Sequence, residues 1–470
     1  MWMPFCLLLC FALLSNFLVT TGHDRQRLLE VTVLAAMAIA SMARPAGMHA
    51  VFGFRNSKPL AAFFVLGLLG SVQAFSPSHA LFEVAILFLL YMFALQIAHE
   101  IELGGNTLML RLVQAVAAIC VLHSVNFWVG YVTALVLGAP IEVGSFVIGF
   151  SNMRFFNHTQ TPILPLLILL CCITPRQSRL RWVWWGLTVY WWMALFAVSG
   201  RGTMVGMVGG CIVAALLRRR LAATYVRTAA MSAALGLLAY AVFLVAIPVL
   251  SGGSAFGAFA TMIERTAADP ASNRLVLWQR ATDLILAHPW LGVGPMHFAH
   301  NAGDLHTGAH PHDWIMQIAS EWGIPAFLCL CGALIMASRA LLRAGRSLAA
   351  GDALNQTICS ALVAGGATIL IDGLVSGLFV MPQSQLAVVF YLGCAIGWCR
   401  GRSERSQDDA MPSRLHKAAL ACLVAGAAAC LVVVVWPDLH ARYLSQPPGA
   451  DTSVLDPVVK WPRLWVDGYF

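Results

Sequence analysis

The sequence predicts an all-α, polytopic transmembrane fold of about 12–13 helical spans with a long, partly helical outer loop. Three observations lead there. Hydrophobic residues make up 59% of the 470 and charged residues only 11%, with mean hydropathy +0.77; a soluble domain carries roughly 25% charge. Apolar runs of about 16–23 residues recur along the whole length, the span a bilayer core demands. Basic residues gather in short segments between those runs, so the net charge of +8 reads as orientation rather than nucleic-acid binding.

The elements follow in order. The first run, Pro4 to Thr20, has no basic leader and no small-residue cleavage site before Asp24, so it is expected to stay as a first span. Further spans are expected near 29–43, 59–75, 80–98, 108–125 (with an extension to 138), 161–174, 183–199, 202–217, 228–250, 314–338, 358–378, 384–399 and 418–436. Two strongly basic stretches fix the sidedness. One is Arg218-Arg219-Arg220 with Arg227; the other is Arg400, Arg402, Arg405, Arg414 and Lys417. Both are expected to be cytoplasmic, with the N-terminus inside and the C-terminus outside. The stretch from Leu108 to Gly138 fits this scheme least well. It is too long for one upright span and short for two, and the preceding loop His99–Asn106 has no Lys or Arg.

The chain thus divides into N-terminal helices (1–138), central helices with short outer loops (139–250), a large outer loop (251–313), C-terminal helices (314–436) and an outer tail (437–470). All 13 cysteines lie in or beside apolar runs, which argues against a disulfide framework or a thiol metal site.

The outer loop is too long for a mere connection. Asp269-Pro270 signals a helix start, and Arg274 to Ala287 places Arg274, Trp278, Ala281 and Ile285 on one face. His288-Pro289 ends that helix, and Leu291-Gly292-Val293-Gly294-Pro295 is turn-rich. His297, His300, His306, His310 and His312 follow without one Lys or Arg, and a membrane helix begins at Trp314. Guanidinium groups bind diphosphate oxygens bidentately and stabilise charge on a departing diphosphate. Histidine, with a pKa near neutrality, suits a general base worth roughly 10²–10⁴-fold. No Gly-rich loop ends in Lys-Ser or Lys-Thr, so no nucleotide site is expected. These parts suit a lipid-linked diphosphate at a membrane surface.

Three stretches carry a family resemblance: SGRG at 199–202, NRLVLWQRATDLILAHPWLGVGP at 273–295, and HPHDWIMQIASEWGIPA at 310–326. They resemble the O-antigen ligase superfamily, which holds lipopolysaccharide O-antigen ligases, O-antigen polymerases and O-linked protein oligosaccharyltransferases. The resemblance implies inverting, metal- and cofactor-independent glycosyl transfer from an undecaprenyl-diphosphate-linked glycan at the periplasmic face of a bacterial inner membrane. The implied acceptor is lipid A core or a pilin or other protein hydroxyl. Position by position, Arg201 and Arg274 match the diphosphate-binding arginines and His312 the catalytic histidine. Asp313 stands where most relatives have Asn, and an acidic neighbour raises a histidine pKa. Residues 152–167, NMRFFNHTQTPILPLL, are similar to the pilin-glycosylating branch, which would put Asn152, Arg154, Asn157 and Gln160 along the cleft.

Several residues admit a plainer reading. Arg201 also reads as a residue that snorkels toward headgroups, although it opposes the positive-inside trend. Arg265 and Arg280 read as solvated loop charges. The histidine group also admits a metal, but Pro311 keeps the His310 and His312 rings apart in direction and few acids accompany them, so none is expected. Glu321 either faces His312 or serves helix packing, and His310 and Trp278 are candidate supports. Asp372, inside an apolar run, is a functional candidate by default, with Arg111 one possible partner. A polymerase using the same site is one alternative function, and a secondary transporter or flippase for a lipid-linked solute is another; the latter needs polar groups spread through the midplane.

Overall fold

The computed structural model describes residues 23–42, 58–250 (apart from 140, 142, 148, 151 and 152), 274–402 (apart from 350) and 414–440. Among these every regular element is helical. The main helices are α1 (His23–Met42), α2 (Lys58–Gln73), α3 (Pro77–Leu137), α4 (Met153–Ile173), α5 (Leu180–Val198), α6 (Arg201–Arg218), α7 (Ala223–Ala239), α8 (Arg274–Ala287), α9 (Trp314–Arg346), α10 (Ala353–Asp372), α11 (Pro382–Arg400) and α12 (Arg414–Leu439). Every expected span within the described residues overlaps one of these, with 80–98 and 108–125 both falling in α3. Six helical stretches among them are long and apolar enough to cross a membrane. The expected first span, the Asp269-Pro270 helix start, Arg265 and most of the outer tail lie outside the described residues.

Two expectations are corrected. His99–Asn106 is not a loop: α3 runs through it, and its one non-helical residue is Gly105 (φ 61, ψ −159). From Asn106 the helix continues unbroken to Leu137, which resolves the awkward stretch as one long helix. A positive φ costs glycine little, so the break falls where a Cβ is missing. The apolar run expected to span 358–378 leaves the helix at Asp372, so that acid ends a helix rather than lying within one.

The chain separates into two compact units. Of the described residues, the first comprises those within 106–250 and 341–379. Its centre is α4, buried from Phe156 to Cys171. Helices α6 and α10 meet along Gly202, Gly206 and Gly210, a stripe with four-residue spacing. A Cβ added at Gly206 would lie 2.8 Å from the Thr368 carbonyl oxygen; only small residues allow backbones this close. At the other end of α6, buried Arg218 donates to the carbonyl oxygen of Gly345 (2.9 Å) and to the Gln356 side chain. A cation there satisfies a carbonyl near the end of α9 and complements the helix dipole.

The second unit comprises the described residues within 23–105, 274–340 and 380–440. Helix α2 lies along the first half of α9: Phe63 stacks on Trp322 at 4.3 Å, and Gly67 leaves room for that indole. Helix α11 approaches the α3 backbone through Gly393 and Gly397, again four apart. Arg27 and Glu30 form a buried ion pair at 2.6 Å, and Arg27 also donates to Gln385 (2.7 Å) and to the Val380 carbonyl. Burial of such a pair is tolerable only with these added bonds.

Candidate active site

The second unit holds the histidine loop. Helix α8 buries Leu277 and Ala281, four residues apart, against Phe298 and Ala302, with Leu284, Leu305 and Met316 at the edge. The loop therefore has a small core of its own. Arg280, expected as a wet surface charge, is instead a clasp. It donates to both Asp304 oxygens (3.0 and 2.8 Å) and to the Asn301 carbonyl. Those bonds hold the Asp304 carboxyl below its usual range and raise Arg280. Arg274, half-buried, is the first residue of α8, and Trp278 follows one turn on.

Trp278 Nε1–H donates to the Pro311 carbonyl at 3.0 Å. Next comes His312, a non-glycine residue with φ 57 in the left-handed region. Its backbone N–H donates to Nδ1 of the almost wholly buried His310 at 3.2 Å, and the two rings lie 3.9 Å apart. His312 itself is half-buried. Asp313 Oδ1 accepts from the Ile315 and Met316 amides (2.8 and 3.1 Å), capping α9. Burial pushes the Asp313 carboxyl above its usual range, and the two amide bonds oppose that shift.

Two glycines and a proline explain why the loop packs as it does. Helix α9 breaks at Gly323 (φ 83, ψ 165). Pro325 has no N–H, so the Glu321 carbonyl loses its helical donor. Gly294 N–H takes that place at 2.9 Å. Ile324 N–H turns away to the Pro289 carbonyl (2.8 Å), which leaves the Ser320 carbonyl for Val293 N–H (2.9 Å). The segment Pro289–Gly294 is thus stitched to the helix break. Gly292 (φ 66) sits directly against the Glu321 backbone, where any Cβ would collide. Glu321 is fully buried and its Oε1 accepts from Phe298 N–H at 3.0 Å.

The same segment docks on the turn between α2 and α3. His297 Nε2 accepts from Ser76 N–H (2.9 Å), so its Nδ1 carries the hydrogen given to the Pro295 carbonyl (2.8 Å). His300 stacks on Phe75 at 4.0 Å, and Gln73 donates to the Gly292 carbonyl at 3.2 Å. Among the described residues no group of three or more His, Cys, Asp or Glu could hold a metal ion.

The first unit holds the other candidates. Ser199 takes a left-handed conformation (φ 57) after α5, and exposed Arg201 opens α6 directly beyond it. Asp372 Oδ2 accepts from Thr161 Oγ1 (2.6 Å) and Thr203 Oγ1 (3.4 Å), and those hydroxyls lie 2.9 Å apart. Asp372 Oδ1 lies over Gly202. The carboxylate is therefore held at the start of α6, where the helix dipole favours negative charge. Thr161 and Thr203 thus both hydrogen-bond to it, Thr203 because the glycine stripe brings α6 within reach, while Arg111 is exposed. Asn157 lies against Gly200, and its backbone carbonyl accepts from Thr161 and Thr203 (3.2 and 3.3 Å). Gln160 donates to the Trp191 carbonyl at 2.8 Å. Arg154 is exposed, and Asn152 lies outside the described residues.

The candidates thus fall into two clusters, one per unit. Asn157 and Asp372 flank the Ser199–Thr203 turn that carries Arg201. His310, His312 and Asp313 gather beside Trp278 of α8. Thr161, Thr203 and His297 were not distinguished as site residues by sequence. The G-x-x-x-G-x-x-x-G spacing from Gly202 to Gly210 was the available signal for the first two.

Residues 186–331 match the O-antigen ligase family. The interval begins inside α5 and ends inside α9, and it takes in Arg201, Arg274, His312 and Glu321. Asn157, Gln160 and Asp372 lie outside it. No curated protein matches the chain. The chain is thus a multi-pass membrane protein carrying a segment similar to the O-antigen ligases.

Proposed function

We propose that this protein is an inverting glycosyltransferase of the bacterial inner membrane. It moves an oligosaccharide from undecaprenyl diphosphate to an acceptor hydroxyl on the periplasmic face. The acceptor oxygen attacks the anomeric carbon, the bond to the diphosphate oxygen breaks, and undecaprenyl diphosphate leaves with the electron pair. His312 takes the acceptor proton. Arg201 and Arg274 bind the diphosphate and stabilise the charge that grows on it. The observation that carries this reading is that one family match spans all three residues. The reaction as written calls for no metal and no cofactor.

The test is His312→Ala, with Arg274→Lys beside it, assayed in membranes of a strain lacking the gene, which carry both donor and acceptor. His312→Ala is expected to insert normally and to lose transfer by at least about 10²-fold. Arg274→Lys keeps the charge but loses the bidentate fork, so the apparent donor KM rises. A fully active His312→Ala protein refutes the assignment. The deletion strain names the acceptor. Loss of long-chain lipopolysaccharide marks lipid A core, loss of glycosylated pilin marks a protein hydroxyl, and accumulated single-repeat glycans mark a polymerase.

A further inference from the structure

A strained residue at a candidate site is informative when its surroundings hold it in place. His312 is such a residue. Its left-handed φ of 57 is one that side-chain-bearing residues seldom adopt, and bonds on both sides maintain it. Before it, the Pro311 carbonyl accepts the Trp278 indole N–H at 3.0 Å. At it, the His312 amide donates to His310 Nδ1 at 3.2 Å, which requires the neutral His310 tautomer with its hydrogen on Nε2. After it, Asp313 is fixed by capping α9. Trp278 also lies four residues after Arg274 on α8, and residues so spaced share a helix face. The indole is therefore a strut between the helix that presents Arg274 and the backbone that presents His312.

We propose that Trp278 and His310 are positioning residues: together they hold His312 in its left-handed conformation and set its register against Arg274. Neither touches the reacting atoms. The inference rests on His312 being the base and adds that its placement depends on one indole N–H and one imidazole nitrogen. Small displacements of a reacting group cost rate steeply, up to about 10²-fold for roughly 1 Å.

The test compares Trp278→Phe, His310→Leu and His310→Asn with wild type in full-length protein, using undecaprenyl-diphosphate oligosaccharide extracted from the deletion strain as donor and that strain's membranes as acceptor. Rates are expressed per donor-binding molecule, counted by titration, so that misfolded protein does not register. Trp278→Phe keeps an aromatic ring and loses the indole N–H donor; His310→Leu keeps similar bulk and loses the imidazole acceptor, which His310→Asn then supplies again. Each is expected to lower kcat about tenfold or more with donor KM within twofold of wild type. His310→Asn restores an acceptor oxygen for the His312 amide and is expected to recover kcat to within threefold. If Trp278→Phe and His310→Leu both keep kcat within twofold while His312→Ala is inactive, the positioning roles are refuted and the catalytic assignment stands. If His310→Asn fares no better than His310→Leu, the hydrogen-bond role of His310 is refuted. An active His312→Ala protein removes both.

Discussion

Gly323→Ala is the sharpest perturbation that the loop architecture offers. At φ 83 and ψ 165 the residue occupies a region open essentially to glycine alone. A Cβ there would meet the backbone of Trp290 and Leu291, with the Trp290 carbonyl carbon at 2.6 Å and the Leu291 nitrogen at 2.8 Å. Neither is the end of a flexible side chain, so the segment itself must move. The backbone strain alone is about 1–3 kcal/mol. Displacing the segment also endangers three bonds: Ile324 to Pro289, Val293 to Ser320 and Gly294 to Glu321. Each is worth roughly 0.5–1.5 kcal/mol net. A local loss of about 3–6 kcal/mol follows. It is confined to the docking of residues 289–300, because the membrane helices do not depend on these bonds. At about 1.4 kcal/mol per tenfold, the opened population rises at least about 10²-fold. Limited proteolysis reads that population directly when reclosing is fast. Trypsin is expected to cut at Arg274 or Arg280 at least about 10²-fold faster in Gly323→Ala, with transfer reduced in parallel and membrane insertion normal. An unchanged cleavage rate would refute the account of the Gly323–Pro325 break as the anchor of the loop.

The remaining predictions are smaller. Thr161→Val removes a hydroxyl donor from a buried carboxylate; it is expected to cost about 1.5–3 kcal/mol in thermal unfolding, with Thr161→Ser near wild type. Gly206→Val forces a side chain against the Thr368 carbonyl and is expected to destabilise the α6–α10 pair by about 1–3 kcal/mol, measured the same way. Asp313 has a raised folded-state pKa, so its contribution is present below the unfolded pKa and is lost as pH rises through the folded value. Asp313→Asn keeps the cap without ionising, and is expected to gain stability over wild type as pH rises through the carboxylate range, read as Tm against pH. Asp304 has the opposite sign: its lowered pKa means the Arg280 clasp stabilises the loop above the unfolded pKa and fails as pH falls through the folded one. Arg280→Ala is therefore expected to flatten the acid limb of loop proteolysis.

The spans were legible because bilayer thickness sets a length and apolarity that single sequences display openly. The end of α8 was legible, since His288-Pro289 stops it, but its buried side was not: Leu277 and Ala281 turn inward, and of these only Ala281 lay on the face read from the sequence. What could not be read were contacts made at a distance in sequence. Asp372 looked like an unpartnered acid within a span because nothing near it in the chain discloses Thr161 and Thr203. The partnership exists only once the glycine stripe draws α6 against α10. Arg280 looked like a surface charge because its partner, Asp304, lies beyond two turns and a short helix. The break at Gly105 was missed for a different reason: the Gly104-Gly105 pair in a polar stretch resembles a loop, and only the backbone shows that the helix resumes at once.

One regularity joins the two clusters. Arg201 is the first residue of α6, and His312 lies two residues before α9 begins. Helix starts expose unpaired amides and carry partial positive charge. An arginine there opposes the dipole and costs the helix about 0.3–1 kcal/mol, and α6 has no acidic residue of its own in the first turn to offset it. Helix α6 thus begins in a way that its own dipole disfavours. An anionic ligand inverts that balance, because a diphosphate is attracted by the guanidinium and by the helix start together. Asp372 belongs to the same helix start: its Oδ1 lies over Gly202, one residue from Arg201. Under the proposed function, exposed Arg201 is then a residue kept at a local cost to its helix for an anionic ligand, which is the chemistry that a lipid-linked diphosphate donor would supply.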